Sequence, residues 1–275
     1  MRRAVILGGT GLVGRAVTRR LVDAGWRVDL TGRDPNRMPQ DLAAAGASFH
    51  PVERSDAEAT ARLVGSGADL LVDCLCFTAA NARGLLPVLP DVGSVVMLSS
   101  KAVYIDGDGN HVNSPVKPKF DGAVREEQRT LPPDESGAYD SAEGYGANKV
   151  AAERVLLDSG HPVTVVRASK IHGAGAVPAR EWVFVRRVLD RRRVLLLADG
   201  GRGVDHPTAA ANLARLVETV ADRPTSDAHP GAHRTRSCST CQRPSRSATG
   251  RRATMPRRSA RRSTGWSARP TSSAR

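Results

Sequence analysis

Two residues spaced four apart in the segment EGYGANKVAAERVLL have the chemistry of a proton-transfer pair. Tyr145 and Lys149 lie on one face of this segment if it is helical, because residues i and i+4 are neighbours on a helix surface. A phenol has a pKa of about 10, which makes it a poor general acid or base at neutral pH. An adjacent ammonium stabilises the phenolate and lowers the pKa of the phenol. The spacing therefore predicts proton transfer by Tyr145, assisted by Lys149.

A pair of serines follows the apolar run SVVML, which has the composition of a buried strand. Ser99 and Ser100 would then lie at the carboxyl edge of a parallel sheet, where ligand sites of α/β proteins gather. We predict that the Ser100 hydroxyl donates a hydrogen bond to a substrate carbonyl. Taken alone, such a serine pair also fits a helix cap or a turn, and only its combination with Tyr145 and Lys149 favours catalysis.

The segment VILGGTGLVGRAV contains four glycines, and three of them, Gly8, Gly11 and Gly14, form a G-x-x-G-x-x-G motif at the junction of a strand-like run and a helical pattern. The first permits a sharp turn, the second lets backbone N–H groups approach a pyrophosphate, and the third permits close packing of helix on sheet. The phosphates would lie at the helix N-terminus. We therefore predict a dinucleotide site in this turn, formed by Gly8, Thr10, Gly11, Leu12, Val13 and Gly14.

The end of the second strand, DLTGRDPNR, bears on the choice of cofactor. An acid at this place binds a free ribose 2′-OH, whereas arginine accommodates a 2′-phosphate. Arg33 follows the strand and favours NADP over NAD, although Asp34 lies beside it and Arg33 also fits a solvated loop charge. Further along, Glu53 and Asp56 would border the adenine, or Asp56 would serve as a helix N-cap.

Strand-like and helix-like segments alternate up to about residue 222. Helices are predicted at 12–24, 56–65, 79–89 and 141–159, with a weaker one at 36–45, and a D-x-x-E box from Asp140 to Glu143 begins the fourth. Continuous apolar strands that alternate with helices build a parallel sheet with right-handed crossovers. The sequence thus predicts an α/β fold with a doubly wound parallel sheet, the Rossmann fold, whose strands are AVILGG, RVDLTG, ASFHPV, DLLVDCLCF, SVVMLSS and PVTVVRA.

Three regions are expected along the chain. Residues 1–170 form the dinucleotide-binding domain, and residues 171–222 form a small, incomplete substrate lobe from helices at 179–191 and 207–222 and a strand RVLLLA. A loop of about 35 residues between VYIDG and YDSAEG is expected to be functional or disordered, and it falls where a lid over the site would be. Residues 223–275 form a tail.

The tail accounts for the basic character of the chain. The 275 residues carry a net charge of +13, yet residues 223–275 hold thirteen arginines, one acid, and no Leu, Val, Ile or Phe. Such a composition cannot bury a core, so we expect disorder from about Pro224 onward. Nucleic-acid binding is not expected except through this tail.

Other features argue against membranes, secretion and metals. No apolar run reaches 18 residues, and Cys74 and Cys76 end a predicted buried strand, which suits a reducing cytoplasm. The tail residues His229, His233, Cys238 and Cys241 have zinc-like spacing but no apolar surroundings. DGDGNHVN begins like a calcium loop but has neither its glycine nor its bidentate glutamate. We predict no metal site.

Together these residues resemble the short-chain dehydrogenase/reductases, in particular the extended NAD(P)-dependent epimerase/dehydratase branch. The likeness covers residues 3 to about 222 and depends on GGTGLVG, SSKAVY, YGANK and VRASKIHGAG. It implies that Tyr145 is the acid/base, that Lys149 also holds the nicotinamide ribose, and that Ser100 orients the substrate. It further implies hydride transfer between the nicotinamide and a carbonyl or alcohol carbon of a small molecule, with a nucleotide sugar as one candidate, in an enzyme that could form a homodimer.

The sequence departs from that family in three places. Ala168 stands where a proline commonly follows the arginine, and Arg33 stands where an NAD-type acid is usual. Extended members normally continue with further strands and helices, so the abrupt change near residue 222 suggests a frameshifted or otherwise aberrant C-terminus. The alternative to an enzyme is a sensor or RNA-binding protein that binds a dinucleotide without catalysis, with the arginine-rich tail contacting phosphates.

Overall fold

The computed structural model describes residues 1–194, 196 and 207–223, together with the backbone of Thr235–Arg236. A parallel sheet lies at its centre, and the first six strands have the order β3-β2-β1-β4-β5-β6. This is the Rossmann-like, doubly wound arrangement that the alternating pattern predicts. The strands are β1 Arg3–Leu7, β2 Arg27–Gly32, β3 Ser48–Pro51, β4 Leu70–Asp73, β5 Val95–Ser100 and β6 Val163–Ala168.

The central strands are buried on both faces, which is why they consist of continuous apolar runs. Within β1, Ala4 and Ile6 face one core, and Val5 and Leu7 face the other. This division follows from the two-residue period of a strand. Each face then needs a layer of helices to exclude water.

Seven helices are present among the described residues. One face of the sheet is covered by α1 and α7, which pack on each other, and the other face by α3, α4 and α5, of which α4 packs on α5. The helix that carries the predicted proton-transfer pair is thus held between α4 and strands β5 and β6. The helices are α1 Leu12–Asp23, α2 Gln40–Ala44, α3 Ala57–Val64, α4 Ala79–Arg83, α5 Ala142–Leu157, α6 Trp182–Leu189 and α7 Ala210–Asp222.

Two predicted helix details differ from the structure. The helix predicted at 79–89 ends at Arg83 and is followed by a 3-10 helix, Leu86–Asp91, because Pro87 has no N–H to donate to the Arg83 carbonyl. The predicted Asp140 cap is wrong by one residue. Ser141 is the N-cap of α5, and its hydroxyl accepts a hydrogen bond from the N–H of Gly144 at 2.8 Å.

The C-terminal part of the described chain differs from the predicted small lobe. Helix α7 lies against α1 and contributes Leu213 and Val217 to the core of the sheet, whereas α6 has no buried residue. In the predicted strand RVLLLA, Arg193, Val194 and Leu196 belong to no strand, and the other residues are outside the described part. Of the predicted tail, only Arg223, which is the C-cap of α7, and the backbone of Thr235–Arg236 are described; Thr235–Arg236 forms β7, parallel to β6.

The long loop between β5 and α5 is anchored at its start. Tyr104 and Thr130 form an antiparallel bridge, and the carboxylate of Asp106, itself 3% exposed, accepts N–H bonds from Asp108, Asn110 and Lys119. The Asp106 oxygens that a calcium loop would offer are thus used for backbone N–H groups. The described residues contain no group of three or more His, Cys, Asp or Glu side chains placed to hold a metal ion. They also contain no helix that is long and apolar enough to span a bilayer.

Candidate active site

The glycine turn links β1 to α1 as predicted, and Gly8 and Gly14 are packed closely. Gly8 has φ +79°, and a Cβ there would lie 2.7 Å from the Leu75 side chain. A Cβ on Gly14 would lie 2.5 Å from the Cα of Gly9, so α1 can approach the turn only without a side chain at this position. The side chain of Val13 is buried in the core, which leaves its backbone N–H as the group that faces the turn.

The N-terminus of α1 has no side-chain cap. Gly11 is the N-cap, whereas Asp56, Thr78 and Ser141 cap α3, α4 and α5 with side-chain oxygens. The first-turn N–H groups of a helix need an acceptor, and a phosphate is the ligand that commonly provides it. The turn therefore fits a pyrophosphate group, and Gly11, which is exposed, leaves room for it.

The end of β2 approaches the turn from the side. A Cβ on Gly32 would lie 2.9 Å from the Thr10 hydroxyl, so Thr10 packs directly on the strand end. Arg33 is exposed and has no hydrogen bond or ion pair within the described part of the chain. Asp34 caps the 3-10 helix Pro35–Arg37 by accepting the N–H of Asn36 at 2.9 Å. The carboxylate of Asp34, next to Arg33, therefore serves as a helix N-cap.

The two predicted adenine neighbours differ in what they do. Asp56 accepts the N–H of Ala59 at 2.8 Å and begins α3, which confirms its alternative assignment as an N-cap. Glu53 is exposed beyond the end of β3. Two histidines follow β6 in the sequence and are candidates for the pocket. His172 lies 2.7 Å from the Glu181 carboxylate and exchanges backbone hydrogen bonds with Thr208 and Ala210, which indicates a structural role, and His206 is outside the described residues.

Ser100 and Tyr145 come together at the carboxyl edge of the sheet. Ser100 is the last residue of β5, and its hydroxyl accepts the N–H of Ala102 at 3.2 Å and hydrogen-bonds the phenol of Tyr145. Tyr145 is half-buried in the first part of α5. Burial raises its pKa above the ordinary value, and the hydrogen bond from Ser100 opposes this rise.

Lys149 lies one turn further along α5 and is 2% exposed. Its ammonium donates to the carbonyls of Cys76 at 2.8 Å and Leu98 at 2.9 Å, and it lies 4.2 Å from the centre of the Phe77 ring. Burial lowers the pKa of Lys149, and the thiol of Cys76 and the carboxylate of Asp73 oppose that shift. The ammonium thus joins the chain that follows β4 to β5.

The predicted lowering of the Tyr145 pKa by Lys149 is not what this arrangement gives. The pKa of the phenol is raised by burial, and only Ser100 acts against that rise. The physical reason is the direction of the Lys149 side chain, whose ammonium is used by the Cys76 and Leu98 carbonyls. The i, i+4 spacing places two residues on one face, but it does not fix where a long side chain ends.

The fold and this geometry agree with a known family. The family model described as the NAD dependent epimerase/dehydratase family matches residues 4–232. The chain belongs to that family. The predicted likeness is confirmed, and the match extends about ten residues beyond the predicted end near residue 222.

Solved structures with the same fold include several epimerases and dehydratases. The dTDP-glucose 4,6-dehydratase of Bacillus anthracis in complex with NAD has a TM-score of 0.62 and 14% identity, with 82% of this chain and 73% of that one covered. The Bordetella bronchiseptica enzyme WbmH in complex with NAD+ has a TM-score of 0.61 and 16% identity, with 81% and 73% covered. The UDP-N-acetylglucosamine 4-epimerase of Bacillus cereus has a TM-score of 0.55 and 14% identity, with 86% and 77% covered. No curated protein matches the sequence of this family member.

Four residues next to the site of this epimerase/dehydratase family member are not evident from the sequence pattern. Leu75 lies against Gly8, Phe77 lies between Lys149 and two tyrosine rings, and Arg54 pairs with Asp73. Asp73, at the end of the apolar strand LLVD, could have indicated a buried ion pair, since a buried carboxylate requires a partner. Arg54 carried no such signal, because a single arginine in a loop is usually solvated.

Proposed function

We propose that this protein is an NAD(P)-dependent oxidoreductase or nucleotide-sugar epimerase/dehydratase in which Tyr145 exchanges a proton with the substrate. The hydrogen bond between Ser100 and Tyr145 carries the proposal, because it joins a strand-end hydroxyl and a helix phenol at the edge where α/β sheets bind ligands. The raised pKa keeps the phenol protonated at neutral pH, so that it can donate to a substrate oxygen. Ser100 would orient that oxygen.

The residues present fit a nicotinamide dinucleotide. Gly8, Gly11 and Gly14 leave an uncapped helix N-terminus for the pyrophosphate, with Thr10, Leu12 and Val13 completing the turn. When bound, the nicotinamide supplies hydride donation and acceptance. The neighbours named as complexes with NAD or NAD+ support this class of cofactor.

Lys149 has a binding role in this proposal. Two carbonyls take two of the three protons of its ammonium, and the third would remain for a ribose hydroxyl. This role requires the side chain to stay where Cys76 and Leu98 hold it.

We further propose that the cofactor is NADP rather than NAD. Arg33 is exposed at the end of β2 and has no partner among the described residues, while Asp34 is used as a cap. An unpaired guanidinium at this place suits a 2′-phosphate. The free, buried thiol of Cys76 and the partly buried one of Cys74 suit a reducing compartment, and we place the protein in the cytoplasm.

The proposal is tested with NADPH and NADH and a panel of nucleotide sugars. Cofactor binding is measured by fluorescence, and turnover is measured with each sugar nucleotide for the wild type and for Tyr145→Phe. Tyr139→Phe is the matched control, because Tyr139 stacks on Phe77 but has no hydrogen bond to Ser100. We expect cofactor binding in all three proteins and loss of turnover only in Tyr145→Phe. Turnover that survives in Tyr145→Phe would remove the phenol from the mechanism.

A second candidate is phosphate binding by the arginine-rich segment 223–275 in a non-catalytic dinucleotide-binding protein. Its thirteen arginines with one acid favour salt-sensitive contacts to RNA. Retention on an RNA column at low salt, compared between the full chain and a chain ending at Asp222, tests this candidate. Equal retention of both chains would eliminate it.

A further inference from the structure

A buried ion pair lies at the end of β4, close to the glycine turn. Arg54 is 8% exposed and Asp73 is fully buried. The guanidinium donates from Nε at 2.9 Å and from Nη2 at 2.5 Å to the same oxygen, Oδ2 of Asp73. Nη2 also donates to the carbonyl of Asn81 at 2.9 Å. Arg54 therefore connects the last residue of β4 to helix α4.

The segment between these two anchor points, residues 73–81, is fixed from within as well. The other oxygen of Asp73 accepts the N–H of Leu75 at 2.8 Å. The side-chain oxygen of Asn81 accepts the N–H groups of Phe77 at 3.1 Å and Thr78 at 3.2 Å. Because Arg54 binds both Asp73 and Asn81, one side chain holds both ends of this segment.

The segment contacts both halves of the proposed site. Leu75 lies against Gly8 in the dinucleotide turn. The Cys76 carbonyl accepts a bond from Lys149 Nζ at 2.8 Å, and the Phe77 ring lies 4.2 Å from that nitrogen and 6.4 Å from the Tyr145 ring. A shift of the segment would therefore move Lys149 and Tyr145 relative to the turn.

A contribution to folding stability does not by itself explain why the protein buries the Arg54–Asp73 ion pair. Taking two charges out of water has a large desolvation cost, and apolar residues of similar volume often do as well or better. A fixed position is what the two hydrogen bonds from the guanidinium to Asp73 Oδ2 add, since guanidinium geometry constrains the two groups more than apolar packing does.

We propose that Arg54 is a positioning residue that holds segment 73–81, and through it Lys149, in place. This inference deepens the proposed function and rests on it, because the position of Lys149 matters for catalysis only if Lys149 acts as proposed. The position itself can be measured without cofactor or substrate. Arg54 would act on the proton-transfer pair through Asp73, Asn81 and Cys76 rather than by touching the reacting atoms.

The test is the acylation rate of Lys149 by acetic anhydride, read by peptide mass spectrometry on the full chain. Exposed Lys119 is the internal reference. The variants are Arg54→Met, the double variant Arg54→Met with Asp73→Asn, which leaves no unpaired carboxylate, and Arg54→Lys. Arg3→Met is the matched control, because Arg3 also pairs with a buried aspartate, Asp29, and donates to backbone carbonyls at the end of α3 and just after it, but at the amino edge of the sheet.

We expect the ratio of Lys149 to Lys119 acylation to rise by about tenfold or more in the two methionine variants, as local opening replaces a closed segment. Arg54→Lys should restore only part of the protection, because an ammonium can still pair with Asp73 but lacks the planar geometry of the guanidinium. Arg3→Met should keep the wild-type ratio even where its urea midpoint falls. A wild-type ratio in the folded double variant, or an equal rise in Arg3→Met, would overturn the proposal. NADPH and NADH binding by the wild type is measured separately, so that failure of the proposed function appears there and not in the Lys149 ratio.

Discussion

The hydroxyl of Ser100 is hydrogen-bonded to the phenol of Tyr145, although one residue ends a strand and the other lies near the start of a helix. The contact is possible because β5 pairs with β6 and α5 packs against both strands. It gives the phenol a donor from outside its own helix. The ionisation of Tyr145 is thereby coupled to the carboxyl end of β5.

Ser100→Ala should raise the pKa of Tyr145 further above its ordinary value. Burial already raises the pKa of this phenol, and the Ser100 hydrogen bond is what opposes the rise, since it stabilises the phenolate. The measurement is tyrosinate absorbance against pH, which is tractable with three tyrosines in the chain. Tyr145→Phe identifies the step that belongs to Tyr145. Ser159→Ala, whose hydroxyl bonds only near the end of α5, is the control, and identical titrations of Ser100→Ala and wild type would refute the coupling.

Gly14→Ala should weaken both folding and dinucleotide binding. The added Cβ would lie 2.5 Å from the Cα of Gly9, and backbone atoms cannot move aside as a flexible side chain can. Overpacking of this kind costs about 1–3 kcal/mol of unfolding free energy. Urea unfolding and NADPH fluorescence measure the two effects. Gly122→Ala, where a Cβ meets nothing within 4 Å, should change neither, and an unaffected Gly14→Ala would contradict the close packing.

The sheet and the glycine turn were predictable because local patterns determine them. Apolar runs such as LLVD and VVML allow one interpretation in a chain of alternating elements, and the glycine spacing fits one kind of turn. The side-chain network was not predictable, because it depends on where long side chains end. Lys149 reaches the Cys76 carbonyl and Arg54 reaches Asp73 only through the register of β4 against β1 and β5, which no local pattern encodes.

Arg33→Ala should reduce the preference for NADPH over NADH by about tenfold or more, since hydrogen bonds to a charged group contribute roughly 1.5–3 kcal/mol. Arg33 is exposed at the end of β2 and has no partner among the described residues. The dissociation constants of both cofactors are measured by fluorescence. Arg62→Ala removes an exposed arginine that pairs with Glu58 on α3 and should leave the ratio unchanged. If the ratio of the NADPH and NADH dissociation constants is the same in Arg33→Ala and wild type, Arg33 does not contact the cofactor and is only a solvated surface charge.

Asp29 should make the stability of the protein fall in acid. Burial alone would raise the pKa of this carboxyl, but hydrogen bonds and charge from Arg3 and His50 outweigh it and hold the pKa below the ordinary 3.8. A carboxyl with a depressed pKa in the folded state contributes stability that is present above the unfolded-state pKa and lost as the pH falls through the folded-state pKa. The urea midpoints of wild type and Asp29→Asn should therefore differ most near neutral pH and converge below about pH 4. Asp23→Asn, at an exposed position on α1, is the control. A gap between wild type and Asp29→Asn that stays constant with pH would show that the carboxylate of Asp29 contributes no pH-dependent stability.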